Sequence, residues 1–374
     1  MDLSYLRPIY AQPGPWASVY IDATRSEENA DREVELRWRA LARRLEELGA
    51  DQPTIDAVGE AIMNYPVQEG RYGLAVFARA GRVALVEPMN APPPADEARY
   101  SELPHAMPLV AYRGEDIPYV RVVADRTGAD LEGFAVTAAP ARREIDRTVQ
   151  GSETFPLRKV RAEGPRAQDN RSGVEENWKR NAGDVAAAAA ELAEAVGAEV
   201  IVVGGDVRAV PLFVAQLPKR WQERVVRTDA GSRAAGAEAG DEALDDVTIQ
   251  AVADVADRHT REAIDRFQVQ YGEHVAPTGL ADVVAALQRR QAETVLLVND
   301  LSSTDTLFVG LDDPSLVAVD ADSLRAVGVE DPLRVRADQA LVRAIQGTDA
   351  ELVLVGPGEV PLEHGIGAVV RYTD

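Results

Sequence analysis

Cysteine is absent from the 374 residues, which removes disulfide staples, thiolate nucleophiles and Cys-ligated zinc together. Lysine is nearly absent as well. Lys159, Lys179 and Lys219 are the only three, so arginine supplies 37 of the 40 cations. None of these lysines follows a glycine, which excludes a Walker A phosphate loop, and no G-x-G-x-x-G follows a strand-like run. The four histidines, His105, His259, His274 and His364, are scattered and none stands in H-E-x-x-H. No serine has the G-x-S-x-G context, so a His-dependent triad is not expected. No apolar run is long enough to cross a bilayer, and no basic segment with an apolar core opens the chain. The expectation is a soluble, cytoplasmic protein with no membrane partner, no cofactor, no metal and no small-molecule substrate.

What is abundant is acid. Against 40 bases stand 62 acids, a formal net charge of −22, while the 46% hydrophobic content is ordinary for a globular chain. Such a chain repels nucleic acid unless its bases are segregated. At about 100 to 200 residues per domain, the length suggests two to four domains.

Val34, Trp38, Leu41, Leu45 and Leu48 recur at steps of four and three, which predicts an amphipathic helix over 28–48 that stops at Gly49. A second helix is predicted around 53–63, and a hairpin from Tyr72 to Glu87 around Ala80-Gly81. The run Ala91-Pro92-Pro93-Pro94 is neither helix interior nor central strand. Residues 1–118 therefore read as one α/β domain. Two strands, Tyr119 to Ala124 and Leu131 to Val136, then flank a turn, and about forty residues poor in aliphatics follow. Ser172-Gly173-Val174-Glu175 has capping-box spacing and opens a helix carrying Val174, Trp178, Ala182, Val185, Ala189, Leu192 and Val196. The apolar run Glu199 to Val203 predicts a strand buried on both faces, and the second α/β domain spans 119–230. Residues 231–243 are small and polar and read as a linker. Beyond them, in a third domain over 231–374, Leu244, Val247, Ala251, Val255, His259, Ala263, Phe267 and Tyr271 form one long helical stripe. A helix from Thr278, the strand 294–298, a helix near 336–346, the strand 352–355 and a final run 366–372 complete an α/β pattern.

Cutting the chain after Arg233 leaves −7 on residues 1–118, +1 on 119–233 and −16 on 234–374. Within the middle segment the cations cluster. Leu157 to Asn181 holds Arg158, Lys159, Arg161, Arg166, Arg171, Lys179 and Arg180 against four acids, and Pro218 to Arg233 holds Lys219, Arg220, Arg224, Arg227 and Arg233 against two. One reading is that these segments meet phosphates, the first as a long basic loop over 157–173 ahead of a helix N-terminus. The other is a solvated surface; the length of the loop favours function. Asp125 and Asp206, each following a strand, could bring two carboxylates to a magnesium ion as in a ribonuclease H-like nuclease, while turn chemistry explains both equally. His259, on the helical stripe, reads as a packing residue.

The closing Gly365-Ile366-Gly367-Ala368-Val369-Val370-Arg371-Tyr372, with Leu354-Val355-Gly356-Pro357-Gly358, Gly73 to Phe77 and Val203-Gly204-Gly205-Asp206, resembles the archaeo-eukaryotic class-1 release factor and Pelota superfamily. The opening Gly14 to Tyr20 and the stretch Tyr119 to Ala129 resemble its bacterial branch, which includes actinobacterial stress-associated proteins and Balon-like ribosome hibernation factors. The resemblance implies three α/β domains, the middle one ribonuclease H-like and the last L7Ae/L30e-like. It implies a tRNA-shaped factor in the ribosomal A site, with the middle domain directed to the peptidyl-transferase centre. The family's Gly-Gly-Gln is missing: the matching loop reads Arg161-Ala162-Glu163-Gly164-Pro165-Arg166-Ala167-Gln168-Asp169-Asn170-Arg171. The stop-codon Asn-Ile-Lys-Ser is missing too, since Thr54 to Met63 contains no lysine. The expectation is a stress or hibernation factor that binds ribosomes without releasing peptide, its rRNA contacts made by Arg158, Lys159, Arg161, Arg166, Gln168, Arg171, Lys179 and Arg180. Elongation factor EF-Tu and stalk-base proteins are the expected protein partners. The alternatives are a peptidyl-tRNA hydrolase or release factor in ribosome rescue that uses Gln168, and the metal nuclease.

Overall fold

The apolar run at 200–205 forms the strand Val200–Gly205, buried along its whole length because helices cover both faces of its sheet. In the computed structural model the described residues are 1–25, 30–68, 70–125, 127–135, 143–150, 166–228, 237–300 and 305–372. They fall into two compact units, Asp116–His259 and Met1–Glu115 joined with Thr260–Asp374.

The unit Asp116–His259 is built on five strands in the spatial order Arg143–Gln150, Gly128–Ala135, Tyr119–Ala124, Val200–Gly205 and Val225–Arg227. The first three pair antiparallel and the last three parallel. On one face Val122, Leu131, Ile201 and Val203 meet Val185, Ala189 and Leu192 of the helix Arg166–Val196 and Phe213 of the helix Ala209–Gln216. The helix lies close because residue 133 is glycine: a Cβ there would stand 2.8 Å from Leu192 Cδ1. On the other face Val200 and Val202 meet Leu244, Ala251 and Val255 of the helix Ala237–Gly272. Each such aliphatic is worth about 1.5–3 kcal/mol on full burial, so the double cover outweighs any single polar contact in this unit. Arg121 ties the sheet to the same helix, bonded to Asp245 and 3.1 Å from Glu132.

The other unit opens with a four-stranded antiparallel sheet in the order Arg82–Met89, Gly73–Arg79, Trp16–Asp22 and Glu97–Ser101. Residues alternate along Trp16–Asp22. Ala17, Val19 and Ile21 pack on the helices Ala30–Glu47 and Gln52–Met63. Trp16 and Tyr20 join a second core with Leu3, Leu6 and Ile9 and with Leu341 and Ile345 of the helix Ala337–Gly347. The first 115 residues and the last 115 thus share one core. Polar contacts mark the join: the Met1 ammonium donates to Leu352 O at 2.9 Å, Leu352 N donates to Met1 O at 3.1 Å, and Gln339 Nε2 donates to Ser101 Oγ and Leu103 O.

The C-terminal part of this unit holds the strands Glu351–Val355, Ala292–Val298 and Ile366–Val370 in that order, and a smaller sheet of Val317–Ala318, Thr306–Val309 and Leu333–Arg336. The signature strand Ile366–Val370 owes its glycines to packing. A Cβ on Gly367 would lie 2.7 Å from the Phe267 ring and from Leu362 Cδ2, and Gly365 has φ +71°. Its outer edge is covered, which denies it to other chains: Gln270 both donates to and accepts from Val370, Gly279 N donates to Ile366 O, and Ala368 N donates to Pro277 O.

The structure departs from the sequence-based expectation at three places. The helix expected to start at Ser172 starts at Arg166; the interior Gly173 costs only about 1 kcal/mol, against a C-terminal half anchored on the sheet. Residues 151–165, the rest of the expected loop, lie outside the described residues. A strand, Arg143–Gln150, occupies part of the aliphatic-poor stretch. On it Arg147 interrupts the apolar alternation of Ile145 and Val149 and pairs with Glu191 at 3.0 Å. In the expected linker, 231–236 lie outside the described residues and 237–243 are helix.

His105 sits at the shared core and supplies a pH test. It is 3% exposed, its Nδ1 has no hydrogen-bond partner, and Asp338 Oδ2 is 3.9 Å away, already held by Arg336. Burial, aided by the Arg99 charge and by Arg336, lowers its pKa to about 4, while Asp338 and Glu97 pull the other way. The folded state therefore keeps it neutral where the unfolded chain takes up a proton. Its contribution is intact above pH 6.5 and is lost as the pH falls towards 4, by about 3 kcal/mol in all. Urea unfolding at pH 7 and pH 4.5 is expected to show a loss that is about 2 kcal/mol smaller in His105→Gln than in the natural chain. Equal losses would exclude this account.

Candidate functional site

The strands Tyr119–Ala124 and Val200–Gly205 run parallel and end side by side, where ligands of α/β sheets commonly bind. The corner after Gly205 is very tight. Its φ is +126°, and a Cβ there would lie 2.0 Å from Ala124 O. Asp206 N then donates to Ala124 O at 2.8 Å. Asp206 Oδ1 accepts from Arg208 N at 2.8 Å and Ala209 N at 3.2 Å, capping the helix Ala209–Gln216. Across the corner Asp125 Oδ1 accepts from Thr127 N and Thr127 Oγ1, both at 2.6 Å, and from Gly128 N at 2.8 Å. Both carboxylates spend an oxygen on backbone N–H groups that the turns leave open, and this is turn chemistry.

Beside Asp125 is a crevice of about 10 Å³, room for one water. It is lined by Ala124, Asp125, Trp178, Ala182, Arg208 and Phe213 among others. Its walls give it no space for an organic ligand, and among the described residues no group of three or more acids and histidines is placed to hold a metal. His259, expected to be a packing residue, lies half-buried on the long helix with Nε2 2.8 Å from Glu199 Oε2, within hydrogen-bond distance.

What surrounds the corner is cationic. Arg208 projects from the turn, and Arg227, in register with Val203, closes the neighbouring strand at the same end; both are exposed. Of the residues expected to bind RNA, Arg158, Lys159 and Arg161 lie outside the described residues. Arg166, Gln168 and Arg171 lie on the helix Arg166–Val196, and Lys179 and Arg180 are exposed further along it. The buried part of this helix begins near Asn181 and Ala182. Trp178 is half-buried and lines the crevice with Ala182, so the helix meets the corner at this point, and it runs back to its strand through Gly197. Sequence reasoning left Arg208 out of the site, since a lone arginine after a Gly-Gly-Asp turn carries no signal until the strand ends are aligned.

Three comparisons bear on this chain. Residues 118–273 match the bacterial archaeo-eukaryotic release factor family 2. An uncharacterized protein of Mycobacterium tuberculosis H37Rv, Rv2629, is 30% identical over 370 residues, covering 98% of this chain and 96% of its own length. Among solved structures, archaeal Pelota bound to the ribosome with ABCE1 aligns over 98% of this chain and 93% of its own, at 14% identity and a TM-score of 0.40. The archaeal termination factor aRF1 aligns over 98% and 96%, at 15% identity and a TM-score of 0.25.

If the two carboxylates serve only the turns, the corner responds to its backbone and not to metal. Asp206→Ala is expected to lower stability by about 1 kcal/mol, the value of a helix cap, and Gly205→Ala by more, because its Cβ overlaps Ala124 O. Melting of the natural chain is expected to be the same in magnesium and in EDTA. A magnesium-dependent rise that Asp125→Asn removes would overturn the assignment.

Proposed function

We propose that this chain, which belongs to the bacterial archaeo-eukaryotic release factor family, is a ribosome-binding translation factor that occupies the A site without releasing peptide. The observation that carries the second half is glycine chemistry. Peptide release in the superfamily depends on a Gly-Gly-Gln, and the one adjacent glycine pair here, Gly204-Gly205, is followed by Asp206 and spent on a strand corner. Gln168 does not replace the motif, for Arg166 and Ala167 precede it and it lies on a helix.

The cations support contact with rRNA. Along the helix Arg166–Val196 they continue the series Arg158, Lys159 and Arg161. Phosphate contacts of this kind position a protein without reading sequence, which suits a factor that recognises a ribosome by shape. A role in stress or hibernation follows from binding without catalysis: an occupied A site blocks elongation and consumes nothing. EF-Tu and stalk-base proteins are the partners proposed for the acidic C-terminal region.

Purified protein is expected to co-sediment with 70S ribosomes from starved cells at low salt and to leave labelled peptidyl-tRNA intact on stalled complexes. Recovery in the supernatant would refute ribosome binding. Peptide release that Gln168→Ala abolishes would replace this reading with the hydrolase.

A further inference from the structure

The second basic segment is not absorbed by the helix-borne contacts proposed above. From Val207 to Thr228 there are five cations, Arg208, Lys219, Arg220, Arg224 and Arg227, against one acid, Glu223. All five are exposed. In a chain with 62 acids against 40 bases, two arginines elsewhere in this unit find carboxylates: Arg121 pairs with Glu132 and Asp245, and Arg147 with Glu191. Here only Arg220 does so, with Glu194. Among the described residues Arg208, Lys219, Arg224 and Arg227 meet no carboxylate; of the nearby acids, Asp206 caps its helix, Glu194 pairs with Arg220 and Glu199 contacts His259.

The placement is ordered. Lys219 and Arg220 lie on the short helix Lys219–Gln222, and Arg220 and Arg224 stand 5.6 and 5.7 Å from the centroid of the buried Trp221 ring, which holds both guanidinium groups in place. Arg224 leads into the outermost parallel strand, Val225–Arg227, and Arg227 ends it about 10 Å further on at 3.3 Å per residue. Arg208 closes the adjacent strand at the Arg227 end. Arg224 and Arg227 therefore flank the outermost strand of the described sheet at its two ends, with Lys219 and Arg220 on the helix before it and Arg208 in the turn after the adjacent strand.

We infer that this edge is a second phosphate-binding strip, which lies along a sugar-phosphate backbone of RNA. The inference rests on the ribosomal reading and adds to it a contact surface separate from residues 157–180. An acidic protein partner is the competing occupant, and the strip lacks what such an interface needs. Between Val207 and Thr228 the only large apolar side chain that is exposed is Val207, whereas protein interfaces are centred on buried aromatic and aliphatic anchors.

The test compares the full chain with the variant Lys219→Gln/Arg224→Gln/Arg227→Gln, and with a control that removes three cations elsewhere, Arg32→Gln/Arg39→Gln/Arg43→Gln on the exposed face of Ala30–Glu47. The affinity for 70S ribosomes, and separately for an arbitrary RNA duplex, is followed against salt. The slope of log K on log salt is expected to become shallower by about 2 to 3 in the strip variant, the loss of three phosphate contacts, and to stay unchanged in the control. Thermal melts of all three are expected to coincide. Ribosome binding by the natural chain with an equal slope in the strip variant would overturn the strip and leave the ribosomal reading standing. Duplex RNA binding that loses slope in the strip variant, with no binding of ribosomes, would do the reverse. An equal loss of slope in the control would reduce the effect to net charge and overturn the strip as a site. Binding of a polyglutamate peptide, lost in the strip variant, with no binding of RNA would assign the edge to an acidic protein.

Discussion

The unit Asp116–His259 depends on one constraint: Val200–Gly205 has no polar face. A strand with apolar side chains on both sides must be covered twice, and the chain supplies the covers from two directions. One is the helix Arg166–Val196, which precedes the strand; the other is the start of Ala237–Gly272, which follows the sheet in sequence. Parallel pairing in register then puts the ends of Tyr119–Ala124 and Val200–Gly205 side by side. The corner, the helix Arg166–Val196 and the basic edge all inherit their positions from that single buried strand. Helix propensity alone would not fix them, since a helix of this composition is held mainly by the face it buries.

The residues that look most like chemistry in this unit are occupied in holding the backbone. Asp125 and Asp206 stand at strand ends, where catalytic carboxylates often stand, yet each closes a turn by accepting N–H donors the strand can no longer satisfy. Gly204-Gly205 resembles half of a catalytic motif, but Gly205 is required because its Cα passes against Ala124 O. The signature strand Ile366–Val370 behaves likewise. Gly367 is glycine because Phe267 and Leu362 fill the space of a Cβ, so the most diagnostic motif of the chain is a packing motif. What distinguishes family members in function must therefore lie outside these shared packing positions.

Legibility followed burial. The doubly buried strand, the helices Ala30–Glu47 and Gln52–Met63 and the hairpin at Ala80-Gly81 were readable, since each has a period set by one dominant face. The hairpin turn in addition has φ of 46° at Ala80 and 74° at Gly81, the positive pair that suits the twist of two strands. Arg143–Gln150 was not readable, because an edge strand faces water along one side and its inward row is broken by Arg147, whose partner Glu191 is 44 residues away. The start of the long helix was missed for a related reason. Residues 237–243 are small and acidic, and their helical state follows from continuity with the buried stripe at Leu244, Ala251 and Val255. At the site, the cations near 158–180 were visible as composition, but Arg208 and Arg227 become neighbours only through the register of two parallel strands.

Net charge and local charge act over different distances, so net acidity does not by itself exclude an RNA partner. Over a distance much greater than the Debye length, about 8 Å at physiological salt, the −22 is screened. Within that length a phosphate at the sheet edge responds to the cations it faces, and four of them have no carboxylate partner among the described residues. The acidic remainder acts over the same short length, repelling a polyanion wherever it comes close to the acids. If the proposed strip binds phosphates, a few cations on an acidic body would make it selective through its charge: weak on arbitrary nucleic acid, and strong only where a partner's shape brings several phosphates to those cations at once while keeping clear of the acids.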